Sequence, residues 1–197
     1  MKIEKVLKNT NPFDFFTFKN IFTENEIDEI YLLFENHITQ LKDSYNITGR
    51  RSKYNNRIYL NKCHYERFSI VKELIDTLRE FFKETFKPSN DKLFIRTELI
   101  MDNEGFWLEP HVDIPEKKLS MMIYLNRSND EGIPGTTLYD NNLNEIYETP
   151  YKNNTGFYFF PSENTWHGVK TFKDKKRMAL MINVTTFETE FELYKNE

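Results

Sequence analysis

The period of the apolar positions changes once along this chain, and the change divides it. In "TENEIDEIYLLFENHITQL", Ile27, Ile30, Tyr31, Phe34, Ile38 and Leu41 form one stripe at helical spacing. Thr23 followed by Glu26 is a capping-box signature for the start of that helix. The same period returns in "SIVKELIDTLREFFKETF" at Val71, Leu74, Ile75, Leu78, Phe81 and Phe82. The spacing predicts a second helix with Ser69 as N-cap and Pro88 as its stop. Residues 44–66 between them are polar and irregular, which predicts a long loop of the kind that can cover a site.

From residue 92 the runs are short and extended in character: "KLFIRTELIM", "KLSMMIYLN", "TTLYD", "TGFYFFP", part of "TWHGVKTF", and "RMALMINVTTF". Gly, Pro, Asn and Asp separate them, as in a sandwich or barrel. Helices followed by about seven strands predict an α+β fold. Its helical part covers about residues 1–90 and packs on a jelly-roll core over about 91–190. No repeat or linker divides residues 1–197, so a single domain is expected.

Composition narrows the picture. Aromatics at 16% of 197 residues support a packed core rather than disorder. The net charge of −4 comes from interleaved charges, so neither nucleic acid nor a membrane is an expected partner. The one basic run, "GRRSKYNNR", reads as a solvated loop or as a dock for an anionic substrate or cosubstrate. A lone cysteine, Cys63, offers no internal disulfide and fits a reducing compartment. The first residues lack an apolar leader, and no run approaches the ~20 apolar residues of a membrane span. A soluble cytoplasmic protein is expected.

Candidate chemistry begins at "LEPHVDIPEK", where His111 and Asp113 stand two apart and would share one face of an extended segment. The pair alone is a possible metal site or a polar surface pair. Of the four histidines, His37 lies on a helix and His64 adjoins Cys63 without further soft ligands. His167, in "NTWHGV" after a strand-like run, is the natural third ligand. Two histidines and a carboxylate suit Fe(II) with open coordination positions. Arg177 heads "RMALMINV", where Arg177, Ala179, Met181 and Asn183 share a strand face. A guanidinium buried there needs an anionic partner, either a ligand or an acid.

Together, the "PHVD" pair, the histidine of "WHGV" and the arginine ten positions later resemble the 2-oxoglutarate and Fe(II)-dependent dioxygenase superfamily, in its prolyl 4-hydroxylase-like branch. The likeness spans about residues 93–187. It implies a double-stranded β-helix core with Fe(II) held by His111, Asp113 and His167, and with 2-oxoglutarate paired to Arg177. It further implies O2 as oxidant, ascorbate as an optional addition, and hydroxylation with release of succinate and CO2. The family's cosubstrate-binding tyrosine has no counterpart in "LIMDNEG", which offers Met101 or Asp102, so Tyr124 is the substitute. Arg50, Arg51, Tyr54 and Arg57 of the polar loop, with Trp107 and Trp166 beside the ligands, are the candidate substrate contacts. A small molecule or a peptide residue such as prolyl is the expected substrate. Two other readings stay open: a cupin-type metal enzyme that does not use 2-oxoglutarate, and a non-catalytic jelly-roll binding protein.

Overall fold

A computed structural model describes residues 1–3, 6–38, 55–86, 91–126 and 132–194. Helix α1, Glu24–Ile38, opens on the expected capping box. Glu26 N–H donates to Thr23 Oγ1 (3.3 Å) and Thr23 N–H to Glu26 Oε2 (2.6 Å). Its stripe of Ile27, Ile30, Tyr31 and Phe34 is buried; Leu41 lies outside the described residues.

The second predicted helix is present as α3, Ser69–Thr85, but Ser69 does not cap it. A short helix not foreseen, α2 at Lys62–Arg67, runs up to it, and Phe68 serves as the C-cap of one and the N-cap of the other. With a single extended residue between two helices, Ser69 is already the first helical position. Helix α2 has its own capping box, in which Asn61 Oδ1 accepts from His64 N–H at 3.1 Å. The expected stop at Pro88 lies outside the described residues; α3 ends at Thr85 with Phe86 as its C-cap.

Twelve strands are described: β1 Leu7–Asn9, β2 Phe15–Lys19, β3 Asn55–Tyr59, β4 Phe94–Asn103, β5 Leu108–His111, β6 Lys117–Leu125, β7 Thr137–Tyr139, β8 Glu145–Glu148, β9 Thr155–Phe159, β10 His167–Val169, β11 Lys176–Thr185 and β12 Phe191–Glu192. They form a large sheet in the order β1-β2-β9-β6-β11-β4-β12, with β3 also on β4, and a small sheet β5-β10-β7-β8. This is the jelly-roll arrangement of two antiparallel layers. The division at residue 90 needs one correction: β1, β2 and β3 come from the part read as helical and extend the large sheet. They are short and carry little of the alternation that marks a half-buried strand.

The two faces of the large sheet differ in chemistry. Its outer face, including Leu99, Leu119, Ile123, Leu180 and Ile182, packs against Ile27, Leu33, Ile75, Leu78 and Phe82 of α1 and α3. Each such fully buried side chain is worth roughly 1.5–3 kcal/mol. Alternation therefore turns Arg96, Glu98 and Asp102 of β4, Arg177 and Asn183 of β11, and Ser120 of β6 inward, toward the small sheet. Among the described residues, no helix is long and apolar enough to cross a membrane.

Candidate metal centre

Strands β5 and β10 run antiparallel with His111 directly opposite His167, and the two imidazole centroids lie 4.3 Å apart. Gly168 permits this approach, since a Cβ there would fall 2.6 Å from the Leu108 carbonyl oxygen. Each imidazole is oriented in the same way. Nδ1 of His111 lies 2.9 Å from the carbonyl oxygen of Glu109, and Nδ1 of His167 lies 2.9 Å from that of Thr165. A carbonyl only accepts, so each Nδ1 carries the proton and each Nε2 keeps its lone pair.

Asp113 arrives differently from the expectation that it would share a strand face with His111. Strand β5 ends at His111, and Asp113 stands two residues beyond it. Its carboxylate is fixed from β6, by Lys117 Nζ at 2.5 Å on Oδ1 and by the Ser120 hydroxyl on Oδ2. Ser120 Oγ also lies 3.1 Å from the Asn183 amide. Its single proton serves the carboxylate.

The result is one donor atom each from His111, Asp113 and His167, all within 4.8 Å of one another. Among the described residues, no other group of histidine, cysteine and acidic side chains is gathered this way. Burial, and then the neighbouring His111, push the His167 imidazole down to about 4. Burial alone would raise Asp113; the Lys117 and His167 charges and the Lys117 and Ser120 hydrogen bonds outweigh it and hold the carboxyl below its usual range. The set is thus a carboxylate and at least one neutral imidazole at neutral pH. With three ligands and no thiolate, it suits an open-sided divalent ion better than a closed structural zinc. Phe159, edge-on to His167 at 4.9 Å between centroids, walls one side.

The site opens into a cavity of about 350 Å³ between the sheets, within the size range of small-molecule pockets. Arg177 lines it, 1% exposed. The anionic partner that this arginine requires is present in the chain: Asp102, its register partner on β4, holds Arg177 Nη1 at 2.7 Å. Asn55 donates to the other carboxylate oxygen of Asp102. Arg177 Nε donates to the Pro134 carbonyl at 3.1 Å, and Nη2 reaches the Thr136 hydroxyl only at 3.5 Å. Asp102 therefore neutralises the arginine by itself.

Tyr124 stands beneath that guanidinium, ring centroid to Cζ 5.2 Å, with its hydroxyl engaged by Thr136 and Thr149. It supports Arg177 from behind and is not on the cavity wall. Trp107 and Trp166 are not on the wall either, although both adjoin it in sequence. Arg57 is on the wall; Arg50, Arg51 and Tyr54 lie outside the described residues. Sequence reasoning missed Asp102 as the arginine's partner, Ser120 and Lys117 as supports of Asp113, and the pair Arg96 and Glu98. Three ionisable residues, Arg96, Glu98 and Asp102, at even spacing on one face of β4 were the available signal.

Residues 97–185 match the model of the 2OG-Fe(II) oxygenase superfamily. Among curated protein sequences, none matches the chain. Solved structures share the fold at low identity. A prolyl-4-hydroxylase from Pseudomonas putida superposes with a TM-score of 0.66 at 10% identity, over 88% of this chain and 93% of the other. A Trichoplax adhaerens prolyl hydroxylase, solved with a hypoxia inducible factor peptide fragment, gives 0.70 at 14%, over 87% and 83%. A collagen prolyl hydroxylase from Paramecium bursaria Chlorella virus-1 gives 0.64 at 12%, over 88% and 96%.

Proposed function

Because the chain belongs to the 2OG-Fe(II) oxygenase superfamily through residues 97–185, and is therefore a 2-oxoglutarate-dependent dioxygenase, we propose that His111, Asp113 and His167 hold its iron for hydroxylation of a small molecule or a peptidyl residue. The observation that carries this assignment is the matched orientation of the two imidazoles. Both Nδ1 protons are committed to backbone carbonyls two residues back, which leaves two lone pairs beside one carboxylate.

When bound, Fe(II) with 2-oxoglutarate and O2 supplies the oxidising chemistry, releasing succinate and CO2. The chain's own residues do the rest. His111 and His167 bind as neutral imidazoles, and Asp113 as a carboxylate whose direction Ser120 and Lys117 set. Phe157, Phe159 and Ile100 give the cavity apolar walls that exclude water from the reacting centre. Arg177 is the residue the cosubstrate's far carboxylate would meet, sharing the guanidinium with Asp102. Three of the solved structures that share the fold are prolyl hydroxylases, which keeps a peptidyl proline among the candidate substrates.

Anaerobic addition of Fe(II) and then 2-oxoglutarate tests the reading. A metal-to-ligand charge-transfer band is expected only when both are present, and Asp113→Ala should abolish both the band and succinate formation. Unchanged succinate release from that variant would overturn the ligand assignment. A metal bound without any response to 2-oxoglutarate would return the protein to the cupin-type class.

A further inference from the structure

The cavity has a second charged group that the metal centre and Arg177 leave unused. Glu98, fully buried on β4, lies between two arginines. Arg57 Nη1 donates to its Oε2 at 3.1 Å. Arg96 Nε lies 2.8 Å from its Oε1, without the alignment of a hydrogen bond. One carboxylate thus faces two guanidiniums, and the group keeps one positive charge in excess. Neither arginine is sealed away, with side chains 15% and 30% exposed, and both line the cavity. Their other contacts fix them: Arg57 Nε donates to Asn55 at 2.6 Å, and Arg96 lies over the Tyr59 ring at 4.5 Å while donating to its hydroxyl.

An independent observation marks the same place. Asn183, 1% exposed, is the register partner of both Arg96 and Ser120. One end of its amide meets Ser120, and its Nδ2 has no partner among the described residues. With the Ser120 proton on Asp113, the amide turned to donate to Ser120 Oγ leaves its oxygen as the unpaired end, an acceptor for an N–H or O–H of a bound molecule. A buried polar group facing a cavity unpaired carries a desolvation cost of about 1–3 kcal/mol that a ligand removes.

We infer that Arg96 and Arg57 form a subsite for a carboxylate group of the substrate, with the free end of the Asn183 amide beside it. Its place in the fold fits an oxygenase substrate. Arg96, Asn183 and Ser120 lie side by side on β4, β11 and β6, so Arg96 stands two strand spacings, roughly 10 Å, from the serine that holds Asp113. A molecule anchored there by its carboxylate reaches the metal ligands with carbons a few bonds away. The subsite is distinct from Arg177, which lies six residues away along β11 and already has Asp102 as a partner. The inference names the substrate class for the proposed hydroxylase and rests on that reading, but the subsite itself needs no metal.

Fluorine NMR with trifluoroacetate as the probe tests it. In metal-free protein, saturable binding is expected. Arg96→Gln and Arg57→Gln should each weaken it about tenfold, and Glu98→Gln should tighten it by releasing both guanidiniums. The Arg96→Gln/Glu98→Gln double variant leaves no buried anion unpaired and serves where the single change unfolds; it too should bind the probe weakly. In Mn(II)-loaded protein, 2-oxoglutarate in slight excess over protein should leave the probe bound. Absence of saturable binding, binding indifferent to these substitutions, or displacement by that small amount of 2-oxoglutarate would each overturn the subsite. Failure of the charge-transfer experiment would instead strike the iron assignment and leave this titration readable.

Discussion

His167 is buried as a neutral base, and this ties stability to pH. Its folded value of about 4 lies below the 6.5 of an exposed imidazole, so between them the unfolded chain binds the extra proton. Stability of the metal-free protein should therefore rise with pH from about 4 to 6.5, by up to about 3 kcal/mol from this group. Asp113, held below its usual 3.8, adds its own loss only at still lower pH. Urea titrations across this range should show the slope, and His167→Gln should flatten it. Asp102 offers a second test. It competes for the guanidinium proposed to hold the cosubstrate, so Asp102→Asn should tighten 2-oxoglutarate on the order of tenfold, read from the charge-transfer titration. Asp102→Ala, which leaves Arg177 buried without its counter-charge, should cost about 3–5 kcal/mol in stability. At this scale, His111, Asp113, His167 and Arg177 were legible as candidates from their spacing and type, and the structure gathers the first three on the cavity that Arg177 also lines. Asp102 was visible only as an oddity, since its role depends on facing Arg177 across β4 and β11. Strand register is not written in either strand alone.

Among the elements, β10 bears the tightest constraint. A side chain at Gly168 would strike the β5 backbone at Leu108 and part the two histidine-bearing strands. Gly168→Val is expected to weaken Fe(II) binding by at least about tenfold, the scale on which disturbed ligand support acts, with a lowered melting temperature. Equilibrium dialysis and thermal unfolding measure the two. Ser120→Ala, which removes a support of Asp113 without touching β10, should weaken the metal about 10–100-fold while leaving melting close to wild type. The long periodic elements α1, α3, β4, β6 and β11 were readable because each repeats its pattern often enough to be unambiguous. The short ones were not. Five residues of β2 or three of β1 hold too few repeats, and α2 fits within a stretch whose polarity suggested a loop.

For the whole molecule, the helices and the site lie on opposite faces of one sheet, and changes on the two faces should separate. Leu180→Ala removes a fully buried side chain from the helix-facing side. It should cost about 2–5 kcal/mol, while leaving the Fe(II) affinity of the folded protein unchanged. The jelly-roll class was legible from strand number and punctuation, but the location of the site between the sheets required the actual pairing. That location has a mechanical consequence. His111 and His167 belong to the small sheet, while Asp113 is tethered to the large one through Lys117 and Ser120. An ion bound by all three closes a clasp across the two layers. Loading the metal should slow amide hydrogen exchange along β5 and β10, and far less in α1 or α3.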